Sequence, residues 1–437
     1  MNAERLLPFL RHDLSSLIYR AGQAVTAGQL LSDAAALARR LPERPYIVNL
    51  CADRYHFTVA FLAAMQRRQI TLLPASDAAA PLLALAADYP ELYFLRDEPL
   101  AGLPEDRVLL YPRGLEVLRV DAVPAFSEQM QAAIFFTSGS TGTPTANPRS
   151  WGALVNSARA AGQALGLASL HGAHILGTVP HQHSYGIESI IMLALQHGLV
   201  FHGARSLLPA DIAAELASLP EPRLLVTTPI HLRALVDYDG EFSPVGRIIC
   251  ATAPLTPALA CKAEARLGSQ LHEIYGCSEV GQIALRRTSQ DQEWTCLSGI
   301  ALEERDGDVW AFGPSAARPA PLNDVIRLLG PDRFLLQGRK SDIVNIAGKR
   351  SSLAYLNHHL NAIPGVEDGV FLFPDDAGDF ARLTAYVVAP TLTAKQILSA
   401  LRAHLDSAFL PRPIHFVDAL PRTPLGKITA DSLASLR

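Results

Sequence analysis

Short apolar runs rich in β-branched residues alternate with longer runs of helical period along most of the chain. No other feature constrains the fold as tightly. "RPYIVNLC" reads as a buried strand, "RYHFTVAFLAAMQRRQ" as a helix and "ITLLPAS" as the next strand. "GAHILGTVP", "GLVFHG", "PRLLVTTP" and "GRIICATAP" are further strands, and "ADIAAELASLP" and "TPALACKAEARLG" are helices between them. Repeated strand–helix–strand units predict an α/β class with largely parallel sheet layers. Ligands in such sheets bind beyond the carboxyl ends of the strands. The polar residues closing "ILGTVPHQHSYG", "VTTPIH" and "EIYGCSE" are therefore expected on one rim.

Near residue 340 the texture changes to the basic, glycine-punctuated "GRKSDIVNIAGKRSS". The remainder reads as helix–strand–strand–helix–strand, the order of a small α+β unit. A boundary near Lys340–Ser341 divides the 437 residues into 1–339 and 340–437. The chain is 49% hydrophobic and 18% charged, which supports a large core and excludes wholesale disorder. A net charge of -4 gives no sign of a nucleic-acid or anionic-membrane partner. Five scattered cysteines argue for reduced thiols. The charged N-terminus is no signal peptide, and "TVAFLAAM" is too short to span a bilayer. A soluble cytoplasmic protein is expected.

Four motifs carry candidate chemistry. In "TSGSTGTPTA", six hydroxyl residues and three glycines or prolines occupy nine of the ten positions Thr137–Ala146 behind an apolar strand. Such a loop suits backbone N–H groups and hydroxyls wrapped around an anion, although an ordinary polar turn has the same composition. It is no Walker loop, since it lacks the GK[ST] signature. In "EIYGCSEVG", Glu279 could hold Mg²⁺ on phosphates and Tyr275 could pack on a flat ring. A surface glutamate and a core tyrosine are the plain alternative. Cys277 reads as a bystander.

In Arg318–Arg350, Asp324 could bond a sugar diol, Arg339 could pair with phosphate or ribose, and Gly338 and Gly348 flank the boundary. A basic surface hairpin reads the same way. In "LPRTPLGKITADSL", Lys427 is one of only five lysines against 33 arginines, and three of the five (Lys340, Lys349, Lys427) fall in these last two motifs. A compact ammonium on a flexible stem can neutralise developing charge; a solvated tail lysine is the alternative. His181 and His183 in "PHQHSYGIE" lack a ligand set for a metal and suit the lining of an organic pocket better.

"TSGSTGTP", "YGCSE", "GRKSD…GKR" and "PRTPLGK", in this order, resemble the adenylate-forming superfamily of acyl- and aryl-CoA synthetases, peptide-synthetase adenylation domains and luciferases. "VPHQHSYG" resembles its acid-pocket segment, and "CATAPL" its adenine-side segment, usually richer in glycine. The resemblance implies a large N-terminal domain for ATP and acid and a small mobile α+β C-terminal domain carrying a catalytic lysine. It implies that Thr137, Ser138, Gly139, Ser140, Thr141 and Gly142 cradle the β- and γ-phosphates of ATP. Glu279 would hold Mg²⁺ and Ser278 would touch the α-phosphate. Ala253, Tyr275 and Gly276 would lie by adenine, and Asp324 and Arg339 by the ribose. His183, Tyr185 and Gly186 would line the acid pocket, Ser341 would be the hinge, and Lys427 would serve adenylation.

Thr145-Ala146 stand where the superfamily usually has Lys-Gly, and Ala430 where a basic residue often follows "GKI". Arg149 is a candidate substitute for the missing lysine. "ADRYHFTVAFLAAMQRRQITLLPAS" and "GRKSDIVNIAGKRSSL" resemble the compact ligases of aryl-polyene and xanthomonadin-type pigment pathways, which load a hydroxybenzoate or related acid onto an acyl carrier protein. The implied activity is adenylation of an acid followed by transfer to a carrier-protein phosphopantetheine or to CoA. The competing expectation is a catalytically weak adenylate-fold binding protein, which the loss of the lysine favours.

Overall fold

The computed structural model describes residues 4–422 apart from 75, 99–101, 139–143, 204–205, 316–317, 340–342, 347–348, 374–382 and 403. The chain forms two compact units, one of residues 1–291, 295–301 and 311–320, the other of 292–294, 302–310 and 321–437.

Two sheets build the first unit. In one, the strands Tyr46–Asn49, Ile70–Leu73 and Leu92–Arg96 run parallel, with Ile47 opposite both Thr71 and Tyr93. Their continuous apolar runs reflect burial on both faces. Gln131–Ser138 joins beside Ile70–Leu73 and pairs antiparallel with Pro144–Ser150. Helix Arg54–Gln66 starts where the Asp53 carboxylate accepts the N–H groups of Tyr55 and His56. It is apolar on all sides and almost wholly buried, as a helix between layers must be.

In the other sheet, Leu271–Cys277, Arg247–Cys250, Arg223–Thr227, His174–Gly177, Val200–His202 and Leu17–Ala21 lie side by side and parallel. Gly281–Arg286 continues the sheet antiparallel to Leu271–Cys277. Leu176, Leu225, Ile248 and Leu271 pack beneath helices Pro209–Ser218, Pro229–Val236 and Pro257–Leu267, each begun by a proline. Arg54 ties the two layers together. Its buried guanidinium donates to the carbonyls of Gly177 at 2.6 Å, Val179 at 3.2 Å and His202 at 2.7 Å.

The expected α/β class is present, with the parallel strands divided between two sheets. The second unit contains the expected order of a small α+β body. Helix Leu353–Asn361 is followed by antiparallel strands Asp368–Leu372 and Thr384–Val388, helix Ala394–Arg402 and strand Ile414–Phe416. Leu356, Leu360, Phe371, Val387, Ile397 and Leu401 form its core. Among the described residues no helix is long and apolar enough to cross a membrane.

Candidate active site

Parallel register brings the expected rim together. Gly177 stands opposite Val226, Thr227 opposite Cys250, and Cys250 opposite Glu273. Thr178, Thr227–Thr228, Cys250–Ala253 and Tyr275–Cys277 therefore leave the sheet at one edge.

The segment after Gly177 is fixed by local bonds. His181 is fully buried, and its Nε2 donates to the Cys51 carbonyl at 3.0 Å, which also accepts the Gln182 amide at 2.9 Å. His181 thus serves packing, while His183 is half-buried at the start of a short helical turn. A Cβ at Gly186 would sit 1.9 Å from the Pro180 carbonyl oxygen, so only glycine fits. The Tyr185 hydroxyl lies 3.0 Å from the Thr227 carbonyl and 3.1 Å from that of Ile249. Burial pushes its pKa well up, and it stays a donor. The Tyr185 hydroxyl is thus engaged by the backbone.

His231 has no counterpart among the sequence-derived candidates. Its Nδ1 lies 3.1 Å from Thr178 Oγ1 and 2.9 Å from Thr228 Oγ1, and burial lowers its pKa, which favours the neutral ring. The "TTPIH" run at a strand end was the available signal: a histidine one turn past paired hydroxyls.

Ser278 and Glu279 occupy the tight turn between Cys277 and Gly281, which face each other across the strands. Both are half-buried. Burial and the neighbouring Glu279 carboxylate push the Cys277 thiol up to about 12, which suits the bystander reading. Tyr275 is 8% exposed within its strand. Gly276 lies open to solvent, where a Cβ would meet the Gly281 carbonyl oxygen at 2.3 Å.

Glu279 makes no ion pair among the described residues, and no group of three metal-binding side chains occurs there. A single hard oxygen donor of this kind fits Mg²⁺, which keeps waters and completes its shell with phosphates. Ala253 follows Thr252, whose φ of 82° is strained for a β-branched residue. Glycine would relax it, and the resemblance implies a segment richer in glycine than this one.

The strands Gln131–Ser138 and Pro144–Ser150 pair antiparallel, with Pro144 opposite Ser138. Gly139, Ser140, Thr141 and Gly142 lie outside the described residues, as do the side chains of Thr137 and Ser138. Exposed Thr145 stands opposite Thr137. Arg149 is not a substitute for the missing lysine. It is 0% exposed, pairs with buried Glu188 and donates to the Ser315 carbonyl at 2.7 Å.

In the second unit, Asp324 and Arg339 are direct partners across a hairpin, so the two ribose candidates lie together. Gly338 beside Arg339 has φ of 138° next to a register shift, a conformation that requires glycine. Arg422 grips the Asp368 carboxylate through Nε at 3.1 Å and Nη2 at 2.8 Å, anchoring the start of the lysine motif. Ser341, Gly348 and Lys427 lie outside the described residues.

A family model described as "AMP-binding enzyme" matches residues 41–335. A 4-coumarate–CoA ligase of Rhodobacter capsulatus is 34% identical over 311 residues, covering 70% of this chain and 77% of that protein. A 4-coumarate–CoA ligase of Halorhodospira halophila is 31% identical over 348 residues, covering 74% and 81%. ATP-bound MatB from Rhodopseudomonas palustris has a TM-score of 0.82 at 18% identity, covering 97% of this chain and 96% of that one, a likeness of fold. The chain belongs to the AMP-binding enzyme family of adenylate-forming proteins.

Proposed function

We propose that this chain is an ATP-dependent acid–thiol ligase. An acid carboxylate, of aryl and hydroxybenzoate or hydroxycinnamate type, attacks the α-phosphorus of ATP. The bond from that phosphorus to the bridging oxygen breaks, and pyrophosphate leaves. A thiol then attacks the acyl carbon of the mixed anhydride and AMP departs. The thiol belongs to CoA or to the phosphopantetheine of an acyl carrier protein. The observation that supports this reading is the match of residues 41–335 to the AMP-binding enzyme family, in a sheet whose parallel strands His174–Gly177, Arg223–Thr227, Arg247–Cys250 and Leu271–Cys277 point their carboxyl ends, which lead into the His183–Gly186 and Ser278–Glu279 segments, to one rim.

Little covalent work falls to the protein; positioning and electrostatics dominate. Ser278 and the hairpin hydroxyls would donate to phosphate oxygens, and Glu279 would hold Mg²⁺. Bound there, the cation neutralises charge on the phosphates. Asp324 and Arg339 would hold the ribose, and Lys427 would deliver an ammonium to the charge developing at phosphorus. Division at Ser341 would let residues 340–437 turn and admit the thiol. The ring of Tyr185 and neutral His231 suit an aromatic acid bearing a hydroxyl. That the two relatives are 4-coumarate–CoA ligases agrees with that class.

A second reading is an adenylate-fold binding protein with weak chemistry. It is favoured by Thr145 and by the burial of Arg149, which leaves that hairpin strand without a cation for the phosphates. Acid-dependent pyrophosphate release, with Lys427→Ala in parallel, separates the two.

A further inference from the structure

Glu188 sits in a fully buried π-helical stretch, Ile187–Met192, just past the acid-pocket segment. Such stretches concentrate at functional sites. Its carboxylate accepts Ser157 Oγ at 2.6 Å, Ser184 Oγ at 2.9 Å and Arg149 Nη2 at 3.3 Å. Both charged side chains are sealed from water, at 0% and 1% exposure.

The arrangement is a poor stabiliser. The ion pair rests on one long contact, and Arg149 Nε has no hydrogen-bond partner among the described residues. A desolvated pair of this geometry gains little over apolar packing.

Its placement is informative. Gly281 has φ of 95°, and a Cβ there would lie 2.0 Å from Arg149 Nη2 and 3.1 Å from Glu188 Oε2. The turn bearing Ser278 and Glu279 is thus seated directly on the guanidinium. The next residue, Gln282, donates to buried Ser189 Oγ at 3.0 Å, beside Glu188. Arg149 itself lies on the strand returning from the loop 139–143. One buried pair therefore touches the loop strand, the acid-pocket segment and the metal-side turn.

We propose that Arg149 and Glu188 are positioning residues, which set the Ser278–Glu279 turn against the loop hairpin and the acid pocket for adenylation. The inference rests on the ligase reading of this site.

The test compares the full-length parent with Arg149→Met/Glu188→Gln and with Arg149→Lys. The Lys variant keeps the charge but lacks the planar fork that spans Glu188 and Ser315. Thermal midpoints are measured beside kcat and the KM values for acid and ATP in acid-dependent pyrophosphate release. The double variant is expected to keep a near-parental midpoint while kcat falls at least tenfold and KM for the acid stays within twofold. Arg149→Lys, which serves if the double variant does not fold, is expected to lose kcat severalfold with its midpoint unchanged. Parental kcat in either folded variant, or a loss that merely tracks the folded fraction, overturns the role. A parent silent with every acid overturns the ligase reading and this role with it; an active parent beside equally active variants overturns this role alone.

Discussion

Thr145 stands directly across the antiparallel strand pair from Thr137, and its side chain is exposed. A lysine here would extend toward whatever the loop holds, without displacing buried groups. Thr145→Lys is expected to raise kcat/KM for ATP by roughly tenfold, the value of one added charge-assisted contact to phosphate. Steady-state pyrophosphate release at varied ATP measures it. An unchanged kcat/KM would mean that the loop does not face the phosphates.

Gly281→Ala tests how the Ser278–Glu279 turn is seated. Its φ of 95° and the 2.0 Å approach of Arg149 Nη2 leave no room for a methyl group. A loss of about 2–4 kcal/mol in denaturant unfolding is expected from strain and overpacking together. A loss below about 0.5 kcal/mol would show that the turn is not packed on the guanidinium.

Much of this was legible in the sequence, and the reasons are physical. The strands Tyr46–Asn49, Arg223–Thr227 and Arg247–Cys250 are short apolar runs with sharp polar ends, so period and punctuation located them and the rim they share. The resemblance implied that Asp324 and Arg339 lie near one another, and their pairing across a hairpin, which keeps sequence neighbours together, agrees with that. The Arg149–Glu188 pair was not legible. Its members lie 39 residues apart on different elements, and a buried arginine looks the same in sequence as one facing phosphate. The bond from His181 Nε2 to the Cys51 carbonyl was not legible either, being a long-range backbone contact with no sequence signature.

Tyr185→Phe removes the hydroxyl that serves the Thr227 and Ile249 carbonyls. A stability loss of about 1–2 kcal/mol is expected, with KM for the acid little changed. A tenfold rise in KM for the acid at unchanged stability would instead place the hydroxyl on the substrate.

Stability should fall on acidification. Burial, with Arg247 and Arg287 nearby, lowers the His272 pKa from 6.5 to about 4. Between those values the unfolded chain binds the proton and the folded chain does not. Stability is thus fully present above about 6.5 and is lost as pH falls toward about 4. Burial also lowers His12, His197 and His231, which adds to the same slope. Urea midpoints across this range should drop with pH, and His272→Gln should flatten the profile. An identical slope in the variant would contradict the assignment.

The most direct measurement is pyrophosphate release from ATP against hydroxybenzoates, cinnamates and fatty acids, with Lys427→Ala beside the parent. Release that depends on an aryl acid and falls on the order of a hundredfold in the variant is the expected result. No release above background with any acid, while nucleotide still binds, would contradict the ligase reading and leave a binding role for the fold.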